Sequence, residues 1–187
     1  MTTALRGRRV AILATTGVEQ VELERPRDAV LAAGATADLV SLEPGTIQAM
    51  NGDIDKADSF PVDKVVDDVS PADYDALLLP GGTVNADTLR QHAAAVRFAG
   101  EFVRAGKPVG VICHGPWVLV EADVVRGRTL TSFPSVRTDI RNAGGRVLDE
   151  EVVVDERLVS SRDPGDLPAF CDAIVERFAA SGGETGA

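Results

Sequence analysis

Cysteine and histidine meet at one break in this sequence. In KPVGVICHGPWVLVEADVV (residues 107–125) an apolar run stops at Cys113-His114-Gly115-Pro116 and then resumes with helical spacing. A side chain on a sharp strand-to-helix turn is pushed clear of the sheet, which is the geometry of a nucleophile elbow. A thiol placed there sits at a helix N-terminus, where the dipole and the unpaired N–H groups favour thiolate over thiol. Cys113 is therefore a candidate nucleophile; the plainer reading is a small apolar residue ending a strand. Gly115 allows the tight turn, although the first glycine of a G-x-S-x-G pattern is missing and Gly110 falls one place early. His114 is a candidate base or proton shuttle, but adjacency on a turn does not by itself aim one side chain at the other. Its backbone N–H, with that of Gly82 in the Pro-Gly-Gly turn, is placed to form an oxyanion hole, since both lie at one sheet edge.

The elements that must position these groups alternate between short β-rich runs and longer helical ones. RRVAILATT (8–16) reads as a buried strand. VELERPRDAVLAAG (21–34) reads as a helix closed by Gly34, with Pro26 tolerable only near its first turn. ATADLVSLE (35–43) is a second strand, and the polar stretch from Gly45 to about Asp68 suggests a hairpin or irregular excursion with KVVDDV as a short strand. YDALLLPGG (74–82) is another buried strand, and residues 85–107 read as one long helix that Asn85 could cap. PVGVIC and GPWVLVEADVV supply the next strand and helix. The last third gives RTLTSF, a helix in SVRTDIRNAGG, a hairpin across RVLDEEVVVDERLVSSR and a helix in DLPAFCDAIVERF. Strands this apolar, alternating with helices, predict a flavodoxin-like three-layer α/β sandwich, a mostly parallel sheet with helices on both faces. Sites in such folds form at the carboxyl ends of the strands. Three segments converge there: Gly17 to Glu22, PGGTVNAD after LLL, and CHGP.

Composition narrows the function classes. With 187 residues, 44% of them hydrophobic, the chain suits one domain over residues 1–180, followed by a disordered tail over 181–187. No run reaches the roughly 18 to 20 apolar residues of a membrane span, and MTTALRGRRVAILATT sets its charges directly against a buried-type strand, unlike a signal peptide. A soluble, cytoplasmic protein without a membrane partner is expected. Cys113 and Cys171 lie 58 positions apart, with no disulfide framework. The net charge of −10 argues against a nucleic-acid partner, which needs clustered cations. Two histidines and two cysteines so dispersed lack metal-ligand spacing, and PGGTVNAD lacks the Gly-Lys-Ser/Thr ending of a phosphate-binding P-loop. Neither a metal nor a cofactor is expected.

Taken in order along the chain, GVEQVELERP, LLLPGG, KPVGVICHGPW, GRTLTSFPSVRTDIRNAGG and EEVVVDERLVSSRDPGDLPAF resemble the PfpI/ThiJ family, the intracellular-protease-I-like branch of the DJ-one superfamily. The likeness runs from about Arg9 to Phe178. It implies a flavodoxin-like fold related to class I glutamine amidotransferases, with Cys113 as nucleophile and His114 as its partner. It also implies that Glu22, the second acid of EQVE, hydrogen-bonds the cysteine sulfur; Glu19 is the weaker match. Read from position alone, both acids are residues that favour a helix N-terminus. Protease-like members complete a Cys-His-acid triad with a carboxylate after the Pro-Gly-Gly turn, contributed by a neighbouring subunit. Here Ala86 and Asp87 stand in that region, and Asp87 is the nearest substitute, shorter and displaced. Its plainer role is that of a first-turn acid. Family members often carry tyrosine where Phe133 stands, so a hydroxyl near the pocket is expected to be missing. Cys171 reads as a core-facing packing residue, His92 as solvent-facing, and Trp117 as a core or interface aromatic.

Two uses of one thiol follow. In the first, Cys113 attacks a small carbonyl or amide substrate, as in a peptidase, amidase, deglycase or glyoxalase-like hydrolase. In the second, Cys113 is reversibly oxidised, making the protein a peroxide-responsive sensor with chaperone-like protection. A stress-protective hydrolase is the favoured expectation, with efficient proteolysis less so, and the resemblance implies a homodimer or higher homo-oligomer.

Overall fold

The computed structural model describes residues 3–180; residues 181–187, read above as a tail, lie outside the described residues. The chain opens with β1 (Arg9–Leu13), α1 (Gln20–Ala32), β2 (Thr36–Ser41), the pair β3 (Thr46–Asn51) and β4 (Asp55–Pro61), and the short β5 (Lys64–Val65). It continues through β6 (Ala76–Leu79), α2 (Thr83–Arg90), α3 (Ala93–Arg104), β7 (Val109–Ile112) and α4 (Pro116–Glu121). The last part holds β8 (Thr129–Leu130), α5 (Arg137–Asn142), β9 (Arg146–Val147), β10 (Val152–Asp155), β11 (Leu158–Ser161) and α6 (Leu167–Ala180).

Seven strands form the central sheet in the order β10-β11-β7-β6-β1-β2-β5. All neighbours are parallel except β10, which returns antiparallel to β11. This is the mainly parallel, helix-covered α/β sheet that the alternation predicts. Strand alternation divides the core into two layers. On β1, Val10 and Ile12 point into the layer shared with Leu23 and Val30 of α1 and Phe170 and Ile174 of α6. Ala11 and Leu13 point the other way, toward Phe98 and Phe102 of α3, Leu119 of α4 and Ile140 of α5. Fully burying side chains of this size contributes roughly 1.5–3 kcal/mol each, and both faces of β1, β6 and β7 are lined this way. Among the described residues no helix is long and apolar enough to cross a membrane.

The β1–β6 junction is where the chain's direction of winding reverses, and at such a switch point the loops splay apart to leave a crevice. The loops after β1, β6 and β7 meet there. The excursion between β2 and β6 contains an antiparallel hairpin of β3 with β4, and Met50 of β3 bridges to Glu19 in the loop after β1. That bridge carries the hairpin tip toward the same crevice.

Four local readings change. The long helix expected over residues 85–107 is two helices, interrupted at Gln91 and the extended His92. Its apolar stripe loses phase at this point: α2 buries Ala86 and Leu89, while α3 buries Ala94, Ala95, Phe98 and Ala99 and exposes Ala93. One continuous helix cannot present both sets to one sheet. Asn85 is not a cap; it is wholly buried within α2. Its Oδ1 accepts from Thr15 N at 2.7 Å and its Nδ2 donates to the Pro80 and Gly81 carbonyls at 3.1 and 2.9 Å, so it ties the post-β1 and post-β6 loops together. Pro26 lies in the middle of α1 rather than near its first turn; having no N–H, it cannot bond the Glu22 carbonyl. Finally, residues 146–162 are not one hairpin: β9 pairs parallel with β8, and only β10 and β11 form the antiparallel pair.

Candidate active site

Cys113 follows β7 directly and adopts φ 62°, one of four described non-glycine residues with positive φ. L-residues pay for this conformation, which persists where surrounding bonds enforce it. They do so here: Cys113 N donates to Ser161 O at 3.1 Å, its carbonyl accepts from Phe133 N at 3.0 Å, and Gly115 N closes the turn onto Ile112 O at 2.9 Å. The side chain is thereby directed to the Pro-Gly-Gly turn instead of continuing the strand.

Three groups surround the sulfur. His114 Nδ1 lies 3.2 Å from Sγ, so the adjacent ring does turn back onto the thiol. The backbone N–H groups of Gly82 and His114 both point at the sulfur, which brings together the two donors expected from the sequence. The Glu22 carboxyl lies against the sulfur on the third side, while its Oε2 accepts from Gly81 N at 2.8 Å and its Oε1 has no hydrogen-bond partner among the described residues. The approach is close enough to require glycine at position 81, where an added Cβ would meet the Glu22 carboxyl and lie 2.6 Å from Cys113 Cβ. Gly82, at φ 89°, passes hard against the Gly17 carbonyl, again without room for a Cβ.

Burial sets the protonation of this cluster. Glu22 is 1% exposed and Cys113 6%. Burial pushes the Glu22 carboxyl from its ordinary value up to about 8, against the lowering influence of the Gly81 N–H and of Cys113, with the charges of Glu19 and Asp53 adding to the rise. At neutral pH this carboxyl therefore keeps its proton and can donate it. Burial also pushes the Cys113 thiol up, with the charge of Glu22 adding to it, opposite to what a helix N-terminus alone predicts. That charge is absent while Glu22 is protonated, so the cost of burial is opposed by the Gly82 and His114 N–H groups and by the carboxyl proton. The structure thus has a proton-rich Glu22–Cys113 pair in place of a free-standing thiolate. His114 is held below its ordinary value by burial, and the Asp53 charge works against that.

The other expected residues fall elsewhere. Asp87 is exposed on α2 and its carboxylate accepts from Gln91 Nε2 at 3.0 Å; within the described chain it does not meet His114. The far side of His114 faces hydroxyls instead, with Nε2 3.1 Å from Ser135 Oγ and 3.3 Å from Thr83 Oγ1. Thr83 in turn is bound by Asp53, at the tip of the β3–β4 hairpin, through both its N–H and its hydroxyl at 2.7 Å. Sequence reasoning missed Asp53, Thr83 and Ser135; the Asn-Gly-Asp run was the available sign of a tight hairpin tip. Glu19 does not approach the sulfur but accepts from Gly52 N and Asp53 N at 3.1 and 3.3 Å, fixing that tip. Phe133 stacks on the His114 ring with centroids 4.7 Å apart, so the position that lacks a tyrosine hydroxyl supplies an apolar wall. Trp117 packs against the ring's other neighbourhood at 5.2 Å and donates to Asp139. Cys171 is half-buried, off the α6 stripe of Leu167, Phe170, Ile174 and Phe178 that faces the core. His92 is also half-buried, its Nδ1 enclosed without a hydrogen-bond partner, instead of facing solvent.

An elbow cysteine with a buried carboxyl and an adjacent histidine is a narrow combination, and residues 8–177 match the DJ-1/PfpI family. The chain belongs to that family. It is 44% identical over 165 residues to protein/nucleic acid deglycase 2 of Escherichia coli (strain K12), covering 87% of this chain and 93% of that protein. It is 40% identical over 166 residues to general stress protein 18 of Bacillus subtilis (strain 168), covering 88% and 94%. Among solved structures it superimposes with a TM-score of 0.86 and 34% identity on a two-domain protein from Anabaena variabilis that contains DJ-1/ThiJ/PfpI-like and ferritin-like domains. That match covers 96% of this chain and 52% of the other, so this chain spans about half of the two-domain protein. The overall fold is common ground with the Anabaena variabilis structure.

Proposed function

We propose that this protein is a stress-protective, cysteine-dependent hydrolase acting on small carbonyl or amide substrates. The observation that carries the reading is the convergence on one sulfur of His114 Nδ1, the Glu22 carboxyl and the N–H groups of Gly82 and His114. Kinship with a deglycase and a general stress protein supports it. In an acyl substrate, Sγ attacks the carbonyl carbon while the thiol proton passes to His114 Nδ1. The carbonyl electron pair moves onto oxygen, which the two N–H groups stabilise. Collapse expels the amine with the proton from His114, and water hydrolyses the thioester to free acid and thiol. In an α-oxoaldehyde the same attack gives a hemithioacetal; a hydrogen shift to the neighbouring carbon makes a 2-hydroxy thioester, and water releases the 2-hydroxy acid. Such a nearly enclosed sulfur favours small electrophiles over folded protein.

A second reading uses the same atoms. A protonated carboxyl beside sulfur would also hydrogen-bond a sulfenate oxygen, which suits a peroxide-responsive protein. Counting product separates the two. With methylglyoxal as probe under anaerobic conditions, the hydrolase reading expects 2-hydroxy acid in large molar excess over protein. At most one equivalent consumed, together with sulfenate forming at Cys113 under peroxide, would support the sensor and sink the hydrolase.

The partner in assembly is proposed to be a second copy. Two large apolar side chains, Ile54 at 82% and Val84 at 54% exposure, directly follow Asp53 and Thr83 at the rim of the site, where a homodimer contact would cover them. A cytoplasmic location is proposed with it, in line with thiols kept free.

A further inference from the structure

The outer half of the His114 ring carries an unassigned chain of groups. Thr83 has a single hydroxyl proton, and it is committed: Oγ1 donates to Asp53 Oδ2 at 2.7 Å, while Thr83 N donates to Asp53 Oδ1 at 2.7 Å. Asp53 is itself held by Glu19, which accepts from the Gly52 and Asp53 N–H groups. Toward His114 Nε2, 3.3 Å away, Thr83 Oγ1 can therefore only accept. If Nε2 carried a lone pair, that pair would face the threonine oxygen with no proton between them. Ser135 Oγ, 3.1 Å from Nε2, can accept as readily as donate and does not decide the matter. We propose that Asp53, acting through Thr83, holds His114 in the Nε2–H tautomer, so that the Nδ1 lone pair faces the Cys113 thiol and receives its proton. Asp53 is then a positioning residue that does, within one subunit, what the missing carboxylate after the Pro-Gly-Gly turn was expected to do.

The proposal deepens the hydrolase reading, on which its catalytic meaning rests, but the tautomer itself is independent of any substrate. When the S–H bond breaks and the Nδ1–H bond forms, the imidazolium's Nε2–H keeps its acceptor and its distant carboxylate, an arrangement that favours the charged ring. The groups facing the ring are Cys113 and, through it, Glu22 of α1; Asp53 from the hairpin; the Thr83 and Ser135 hydroxyls; and the Phe133 and Trp117 rings. Of these, Asp53 is the one whose chemistry can be inverted by a single isosteric change. In Asp53→Asn the amide nitrogen would donate to Thr83 Oγ1, freeing the threonine proton to donate to Nε2, and the ring would switch to Nδ1–H.

The test is ¹⁵N NMR of the full chain labelled at histidine, with the two histidines assigned by a His92→Gln variant. Wild type is expected to show Nε2–H for His114 at neutral pH, Asp53→Asn to show Nδ1–H, Thr83→Ser to keep the wild-type pattern and Thr83→Val to lose the preference. Cys113 alkylation in Asp53→Asn should slow by about 10²-fold, the lower range for loss of a positioned base. Nδ1–H in wild type, or Nε2–H retained in both Asp53→Asn and Thr83→Val, would overturn the proposal. Absence of turnover with the expected tautomers would instead count against the hydrolase reading alone. Should Asp53→Asn fail to fold, the Thr83 pair gives the same decision.

Discussion

Cys113→Ala is expected to bring hydrolysis of small carbonyl and amide substrates down to background, a loss of about 10⁴-fold or more. The reason is that four groups at the crevice gather around the sulfur: His114 Nδ1 at 3.2 Å, the Glu22 carboxyl, and the backbone N–H groups of Gly82 and His114. Removing the atom on which they converge removes the covalent route, and groups that act as a unit do not lose activity in proportion. Cys171→Ser is the matched control. That thiol is half-buried on α6, pushed up by burial to about 11 and flanked by Arg25, Asp172 and Asp28, and its replacement should leave turnover in place. Multiple-turnover assays of the two variants check this; equal losses in both, or retained turnover in Cys113→Ala, would detach the activity from the elbow.

Glu22→Gln is expected to flatten the pH dependence of stability. In the unfolded chain Glu22 ionises near its ordinary 4.5, whereas the folded protein keeps the proton up to about 8. Between those values the folded state holds a proton that the unfolded state has lost, so stability falls as pH rises. The contribution is fully present below about 4.5 and is lost as pH climbs to about 8. The size is on the order of a few kcal/mol for a fully buried carboxyl with a shift this large. Glutamine keeps an acceptor for the Gly81 N–H and a donor for the sulfur, but has no proton to lose. Denaturant midpoints at pH 5 and pH 8 should converge in the variant and diverge in the wild type. Every other titratable group is common to both proteins and cancels in the comparison, so parallel curves would mean that Glu22 ionises normally.

The sequence made some of this visible and hid the rest for physical reasons. Cys113 was legible because an apolar strand, a Gly-Pro break and a renewed helical rhythm punctuate it from both sides. Gly82 was legible from the paired glycines after a buried strand. Glu22 was legible only by resemblance, since an acid early in a helix is ordinary, and nothing local reveals that the fold buries it. Asn-Gly-Asp marks a tight turn at Asp53, but nothing in the sequence joins Asp53 to Thr83. Their partnership depends on a hairpin bending over the sheet edge and bridging at Met50 to Glu19, a long-range contact with no periodic signature. The division of the long helix was hidden in a phase slip at Gln91–His92, where alanines on both sides suit a helix equally well. The raised thiol was missed for a related reason: a helix N-terminus can be read from sequence, but the desolvation that outweighs it cannot.

The proposed chemistry rests on a carboxyl that stays protonated at neutral pH beside the sulfur, and infrared difference spectroscopy reads that directly. Wild type minus Glu22→Gln at pH 7 is expected to show the carbonyl stretch of a protonated, buried carboxylic acid, shifted by deuteration, altered in Cys113→Ser and fading as pH passes about 8. A difference spectrum at pH 7 showing only carboxylate bands would contradict it, because an ionised Glu22 could neither donate to the sulfur nor tolerate a thiolate at its side.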